Sequence, residues 1–129
     1  MSQLLIVDDS PTIRRMVRVS LASLQPRCDF IEAGSGLEAI ERLAVGMVEL
    51  MVLDLNMPDM HGLEVLGFIR AHERYRKVPV IVLTTRGDVN TREAALQAGA
   101  TAYMTKPFAP DALLTQARTL LGNGVESNR

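Results

Sequence analysis

The sequence has little of what several classes of protein require. Cys28 is the only cysteine among 129 residues, which excludes a disulfide within the chain and suits a reducing cytosol. No segment approaches the ~20 consecutive apolar residues of a membrane-spanning helix. The amino terminus lacks the basic region of a signal peptide, and its apolar run is too short for one. We therefore expect a soluble, cytoplasmic protein with no membrane partner.

An excess of one charge is also lacking. The 14 basic and 15 acidic residues give a formal net charge of −1 at pH 7, whereas nucleic acids and anionic membranes select strongly basic surfaces. Neither is therefore predicted as a partner. A chain of 129 residues, 47% of them hydrophobic, predicts one globular domain with a single core.

Short apolar runs alternate with segments of helical periodicity along the chain. Ser10 and Pro11, for example, predict a helix N-cap followed by proline at the first helical position. Such alternation implies an α/β fold, in which a parallel sheet carries helices on both faces and the crossovers are right-handed. Spacing alone does not give the strand order. The predicted strands are Leu4–Val7, Phe30–Ala33, Leu50–Leu53, Val78–Leu83 and Ala102–Thr105.

The same periodicity predicts which faces of the first two helices are buried. The first helix should end at Pro26, and Arg14, Arg15 and Arg18 should lie on its solvated face. The apolar stripe of the second helix is predicted as Leu37, Ile40, Leu43, Ala44 and Met47.

Further predictions concern the sheet edge and the connections. Glu32 indicates that its strand lies near an edge of the sheet, because a central strand rarely carries a charge. Residues 73–77 are predicted as a solvated connection. Residues 1–122 are predicted as the domain, and residues 123–129 as a flexible tail.

Polar residues collect where the predicted strands end. Asp8 and Asp9 follow the first strand, Asp54 the third, Thr84 the fourth and Lys106 the fifth. Ligands of an open α/β sheet bind outside the carboxyl ends of its strands, at the point where the strand order reverses. We therefore expect these five side chains to form one site.

The chemistry of these residues favours a metal and a phosphoryl group. Three neighbouring carboxylates repel one another, and a divalent cation removes that conflict; oxygen ligands suit Mg²⁺. Lys106 offers a positive charge to a phosphoryl oxygen, and Thr84 offers a hydroxyl donor. With Asp54 as the nucleophile, the set predicts phosphoryl transfer to a carboxylate.

Each of these residues has a plainer interpretation when it is taken alone. An acid pair such as Asp8 and Asp9 also suits the N-terminus of a helix, and a threonine such as Thr84 is common at strand ends. His61 and His72 are predicted as surface or loop histidines.

The order and spacing of four segments resemble the receiver domains of two-component response regulators, and most of all the CheY-like single-domain type of chemotaxis. The resemblance covers residues 3–121. It implies a flavodoxin-like fold of three layers, (βα)5, with the strand order 2-1-3-4-5. The segments are Val7–Ser10, Leu53–Gly62, Leu83–Thr84 and Ala98–Phe108.

The resemblance implies a role for each residue of the site. Asp54 is the expected phosphoacceptor, which takes its phosphoryl group from a histidine kinase or a phosphotransfer domain. Lys106 is expected to contact that group. The Mg²⁺ ligands are expected to be Asp8, Asp9, Asp54 and the backbone carbonyl of Asn56.

The resemblance also implies a switch. Thr84 is expected to move towards the phosphoryl group, and Tyr103 to turn inward when it does. Pro107 is expected to follow a cis peptide bond. The lifetime of the phosphorylated state should depend on Asn56, Thr85 and Arg86.

The function implied is a phosphorylation-activated signalling switch. Such a protein catalyses only its own phosphorylation and dephosphorylation and is not otherwise an enzyme. Its downstream target should bind the fourth helix, fifth strand and fifth helix. We expect a monomer, with dimerisation on phosphorylation left open. A phosphorelay intermediate, a phosphate sink and a constitutive interaction module remain alternatives. Asn56 argues against an aspartyl-phosphate phosphatase, which needs a second aspartate two residues after the nucleophile.

Overall fold

Five strands and five α-helices alternate along the described part of the chain. The computed structural model describes residues 2–25, 27–85 and 87–126. A short 3₁₀ helix, Ala22–Leu24, follows the first α-helix. The elements are β1 (Ser2–Val7), α1 (Pro11–Ser20), β2 (Cys28–Ala33), α2 (Gly36–Val45), β3 (Val48–Leu53), α3 (Gly62–Ala71), β4 (Val80–Thr84), α4 (Val89–Ala98), β5 (Ala102–Thr105) and α5 (Pro110–Glu126).

All strand pairs are parallel, and the strands lie in the order β2-β1-β3-β4-β5. This confirms the predicted order and places Glu32 on the edge strand, as its charge indicates. Successive side chains of a strand point to opposite faces, so Leu5 and Leu4 belong to different cores. One core contains residues of α2, α3 and α4, and the other contains residues of α1 and α5. The fold is therefore the predicted three-layer, flavodoxin-like one.

The first helix is shorter than predicted. Ser10 caps it by accepting a hydrogen bond from the backbone N–H of Ile13, but the helix ends at Ser20. The 3₁₀ turn that follows has three residues per turn, which brings Leu21 and Leu24 to the same buried face. Pro26, which was expected to end the helix, lies outside the described residues.

The predicted apolar stripe of α2 is wrong at Leu37, Ala44 and Met47, which are all exposed. Leu37 and Met47 are 61% and 71% exposed, and the buried face consists of Gly36, Ala39 and Leu43. The reason is a close approach of the start of α2 to the loop before α3: a Cβ on Gly36 would lie 2.7 Å from Cβ of Met60. That contact turns the glycine towards the core and its larger neighbour outward. Met47 lies beyond the end of the helix.

The connections hold two more differences. Tyr75, in the connection predicted to be solvated, is only 8% exposed, because it packs into the core beside α3. Its ring also stacks on His72, with centroids 4.3 Å apart. Helix α5 continues to Glu126, past the predicted domain boundary at residue 122. The flexible tail stays a prediction, and residues 127–129 lie outside the described part of the chain. Within the described ranges, no helix is long and apolar enough to cross a membrane.

Candidate functional site

The three carboxylates meet where β1 and β3 end side by side. Val7 pairs with Leu53, and the backbone N–H of Asp54 donates to the carbonyl of Val7 at 2.9 Å. Asp8 and Asp54 are therefore neighbours at the carboxyl ends of two inner strands, 3% and 4% exposed, and Asp9 is exposed beside them. One oxygen of each carboxylate lies within 4.8 Å of the others.

Lys106 faces this cluster from the end of β5. Its Nζ lies 2.6 Å from Oδ2 of Asp8 and 3.6 Å from Oδ1 of Asp54. The turn that carries it is held by a backbone hydrogen bond from Lys106 N–H to the carbonyl of Thr84, at 2.8 Å. The Lys106–Pro107 peptide bond is cis, as predicted. One cation thus faces two buried carboxylates.

Thr84 completes the floor of the site. It is fully buried at the end of β4, and its hydroxyl lies near enough to Asp54 to lower the pKa of that carboxyl. The side-chain amide of Asn56 donates to the same hydroxyl at 3.4 Å. Thr84 therefore lies beside the carboxylate that the sequence predicts as the nucleophile.

The surroundings of Asp54 disfavour its charge. Burial and the charge of Asp8 raise the pKa of this carboxyl, and the Lys106 cation, the backbone N–H of Asn56 and the Thr84 hydroxyl oppose them only in part. The cluster as a whole contains three carboxylates and one ammonium group, so negative charge is in excess. A cluster of hard oxygen donors with excess negative charge, open to solvent at Asp9, fits a hard divalent cation such as Mg²⁺.

Other candidate residues lie around the site. Thr85 is exposed, and Arg86 lies outside the described residues. Tyr103 is half-buried on β5, where it packs against the core and borders an open surface cavity. His61 and His72 are both exposed, as predicted, at the two ends of α3.

Sequence reasoning missed two supporting residues. Asp59 accepts hydrogen bonds from the backbone N–H groups of Gly36 and Leu37, each at 3.1 Å, and so ties the loop after β3 to the start of α2. Arg14 was expected on a solvated face, but its side chain is only 17% exposed and donates to the backbone carbonyl of Asp8. No local pattern signals either contact. Asp59 lies 23 residues from Gly36. Arg14 lies only six residues from Asp8, but it also pairs with Glu32 on another strand.

Comparison with known proteins decides the family. Residues 4–118 match the response regulator receiver domain. The chain belongs to this family. It is 39% identical over 121 residues to the chemotaxis protein CheY1 of Helicobacter pylori, covering 93% of this chain and 97% of that protein. It is also 39% identical to a CheY homolog of Campylobacter jejuni, covering 95% of this chain and 94% of the homolog.

Solved structures agree with this assignment. The chemotaxis response regulator CheY4 of Vibrio cholerae is 31% identical and superposes with a TM-score of 0.84, over 94% of this chain and 99% of that one. The protein is thus a CheY-like receiver domain of two-component signalling. It is a signalling protein rather than a conventional enzyme. Its acidic cluster can hold a metal ion.

Proposed function

We propose that this protein is a phosphorylation-activated switch of chemotaxis. Asp54 accepts a phosphoryl group from a histidine kinase or phosphotransfer domain in a Mg²⁺-dependent reaction in the cytoplasm. The observation that carries the proposal is the convergence of Asp8, Asp9 and Lys106 on a buried Asp54. The chemotaxis assignment is supported by relatives of the same length that are described as chemotaxis proteins.

Asp54 suits the nucleophile better than Asp8 does. Both oxygens of Asp8 are engaged, Oδ1 by the backbone N–H of Ser10 at 2.9 Å and Oδ2 by Lys106 at 2.6 Å. Lys106 is a full ångström farther from Asp54. An oxygen of Asp54 attacks the phosphorus in line, the bond between phosphorus and the donor nitrogen breaks, and an acyl phosphate forms.

The remaining residues position the phosphoryl group and neutralise charge. Asp8, Asp9, Asp54 and the backbone carbonyl of Asn56 would hold Mg²⁺, which when bound supplies positive charge to the phosphoryl oxygens. Lys106 moves its ammonium group from the carboxylates towards the added oxygens. Such transfer depends mainly on position and electrostatics, so the chain needs no further catalytic group.

The acyl phosphate changes the contacts of Thr84. Before phosphorylation its hydroxyl accepts a hydrogen bond from Asn56 and lies near Asp54. The phosphoryl oxygens then compete for this hydroxyl. Tyr103, on the strand next to β4, follows this movement. The face of α4, β5 and α5 thereby changes its affinity for a downstream protein. Asn56, Thr85 and Arg86 set the lifetime of the state.

Incubation of the full chain with a small phosphodonor and Mg²⁺ tests the proposal. Intact mass should show a single adduct of about 80 Da, and chelation of Mg²⁺ should prevent it. Asp54→Asn should gain no adduct, whereas Asp59→Asn, five residues along the same loop, should gain one as the parent does. The proposal is falsified if the parent gains no adduct, or if Asp54→Asn still gains it.

A further inference from the structure

The Arg14 side chain connects the acidic site to β2, the strand at the edge of the sheet. Its Nη1 donates to the backbone carbonyl of Asp8, and its Nε lies 2.7 Å from Oε1 of Glu32 on the edge strand β2. Gly34 leaves room for it, since a Cβ there would lie 3.3 Å from Nη1. One guanidinium therefore spans the carboxyl ends of two strands, using donors that point in fixed directions.

The Glu32 end of this connection is itself anchored. Its other carboxylate oxygen, Oε2, lies 3.2 Å from Arg18, and its backbone carbonyl accepts from Arg42 at 3.3 Å. Arg18 in turn lies over the ring of Phe30, 5.5 Å from its centroid. Glu32 thus contacts three arginines, and of these it is Arg14 that also contacts Asp8.

We propose that Arg14 is a positioning residue for the metal site, and this inference rests on the function proposed above. It fixes the peptide plane between Asp8 and Asp9 by holding the carbonyl of Asp8. In the described part of the chain, no hydrogen bond or ion pair holds the Asp9 carboxylate. The orientation of the peptide between Asp8 and Asp9 therefore determines the position of this carboxylate. Asp8 needs less help, because Ser10 and Lys106 hold its side chain.

Charge and position predict opposite effects for the loss of Arg14. Removal of a positive charge near three carboxylates should strengthen the binding of a cation. Loss of a positioning contact should weaken it, and residues that orient metal ligands typically contribute ten- to a hundredfold in affinity. Arg18→Gln is the matched control, because Arg18 pairs with the same Glu32 but contacts the carbonyl of Phe30 in place of that of Asp8.

Calorimetric titration of the metal-free chain with Mg²⁺ provides the first readout. Arg14→Gln should weaken Mg²⁺ binding about tenfold, Arg14→Lys should recover part of the loss, and Arg18→Gln should stay within twofold of the parent or bind more tightly. An Arg14→Gln variant that binds Mg²⁺ as well as Arg18→Gln does would overturn the proposal. If Arg14→Gln does not fold, the comparison of Arg14→Lys with the parent decides.

Hydrogen exchange in the presence of a chelator gives a second readout that needs no metal. The Ser10 amide bonds to the Asp8 carboxylate, so it should exchange faster in Arg14→Gln and at the parent rate in Arg18→Gln. Equal rates in the two variants would contradict the positioning role. A parent that does not bind Mg²⁺ would contradict the proposed function alone, because this exchange measurement would still decide the role of Arg14.

Discussion

Two aspartates of the loop after β3 lie in opposite surroundings. Burial and the charge of Asp8 raise the pKa of Asp54. The backbone N–H groups of Leu37 and Gly36, at the start of α2, hold the pKa of Asp59 below its usual range. Ionisation of Asp54 therefore costs stability, and ionisation of Asp59 contributes to it. The same substitution should have opposite effects at the two positions.

Asp54→Asn should stabilise the metal-free protein. The variant keeps the shape of the side chain and removes a charge that burial and Asp8 both disfavour. The free energy of unfolding should rise by about 1 kcal/mol, the usual scale of one substitution. Urea unfolding at neutral pH in the presence of a chelator measures the difference. A variant less stable than the parent would show that the charge of Asp54 is well compensated.

Asp59→Asn should destabilise the protein, and only above acid pH. A lowered folded-state pKa means that the ionised carboxylate stabilises the fold fully above the ordinary pKa range of aspartate. That contribution disappears as the pH falls through the folded-state pKa. Urea unfolding of parent and variant over a pH series should show a gap at neutral pH that closes in acid. A gap that persists unchanged would assign the effect to shape and not to charge.

At the scale of the elements, two glycines of α3 and α4 meet different constraints. Gly67 lies in the exposed middle of α3, and a Cβ there would contact nothing within 4 Å. Gly99 ends α4 in the left-handed conformation with φ of 113°, and a Cβ there would lie 2.6 Å from Cγ of Arg70. Arg70 cannot easily withdraw, because its guanidinium donates to the carbonyls of Gly99 and Val78.

Alanine should therefore stabilise one position and destabilise the other. Gly67→Ala should raise the free energy of unfolding by up to about 1 kcal/mol, because alanine has the higher helix propensity. Gly99→Ala should lower it by about 1–2 kcal/mol, the cost of a left-handed backbone for a residue with a Cβ. Chemical unfolding of both variants checks this. Equal effects of the two substitutions would mean that the C-cap of α4 adjusts without strain.

At the scale of the whole molecule, Mg²⁺ should stabilise the fold. The site needs β1 and β3 side by side, so the unfolded chain does not bind the ion in the same way. At a hundred times its dissociation constant a ligand contributes about 2.7 kcal/mol. Thermal unfolding with and without millimolar Mg²⁺ should show a rise in Tm that Asp9→Asn reduces. A Tm indifferent to Mg²⁺ would count against a metal site at the three carboxylates.

The fold and the centre of the site could be predicted because their signals are local. Each strand is an apolar run, and the residues after it carry the charge, so parallel pairing brings Asp8 and Asp54 together. The strand order 2-1-3-4-5 came from the family resemblance, and the sheet confirms it. The stripe of α2 was wrong, because helical periodicity does not say which glycine approaches a neighbouring segment of the fold.

The amino-acid sequence by itself determined where strands end and which chemistry stands at those ends. Apolar runs must be buried, and charges need water, an ion partner or a metal, whatever the neighbouring elements are. Only the tertiary structure decided that Arg14 leaves the solvated face to hold Asp8, that Asp59 caps α2, and that Tyr75 is buried. These contacts join different elements and loops, and the packing of whole elements sets their distances.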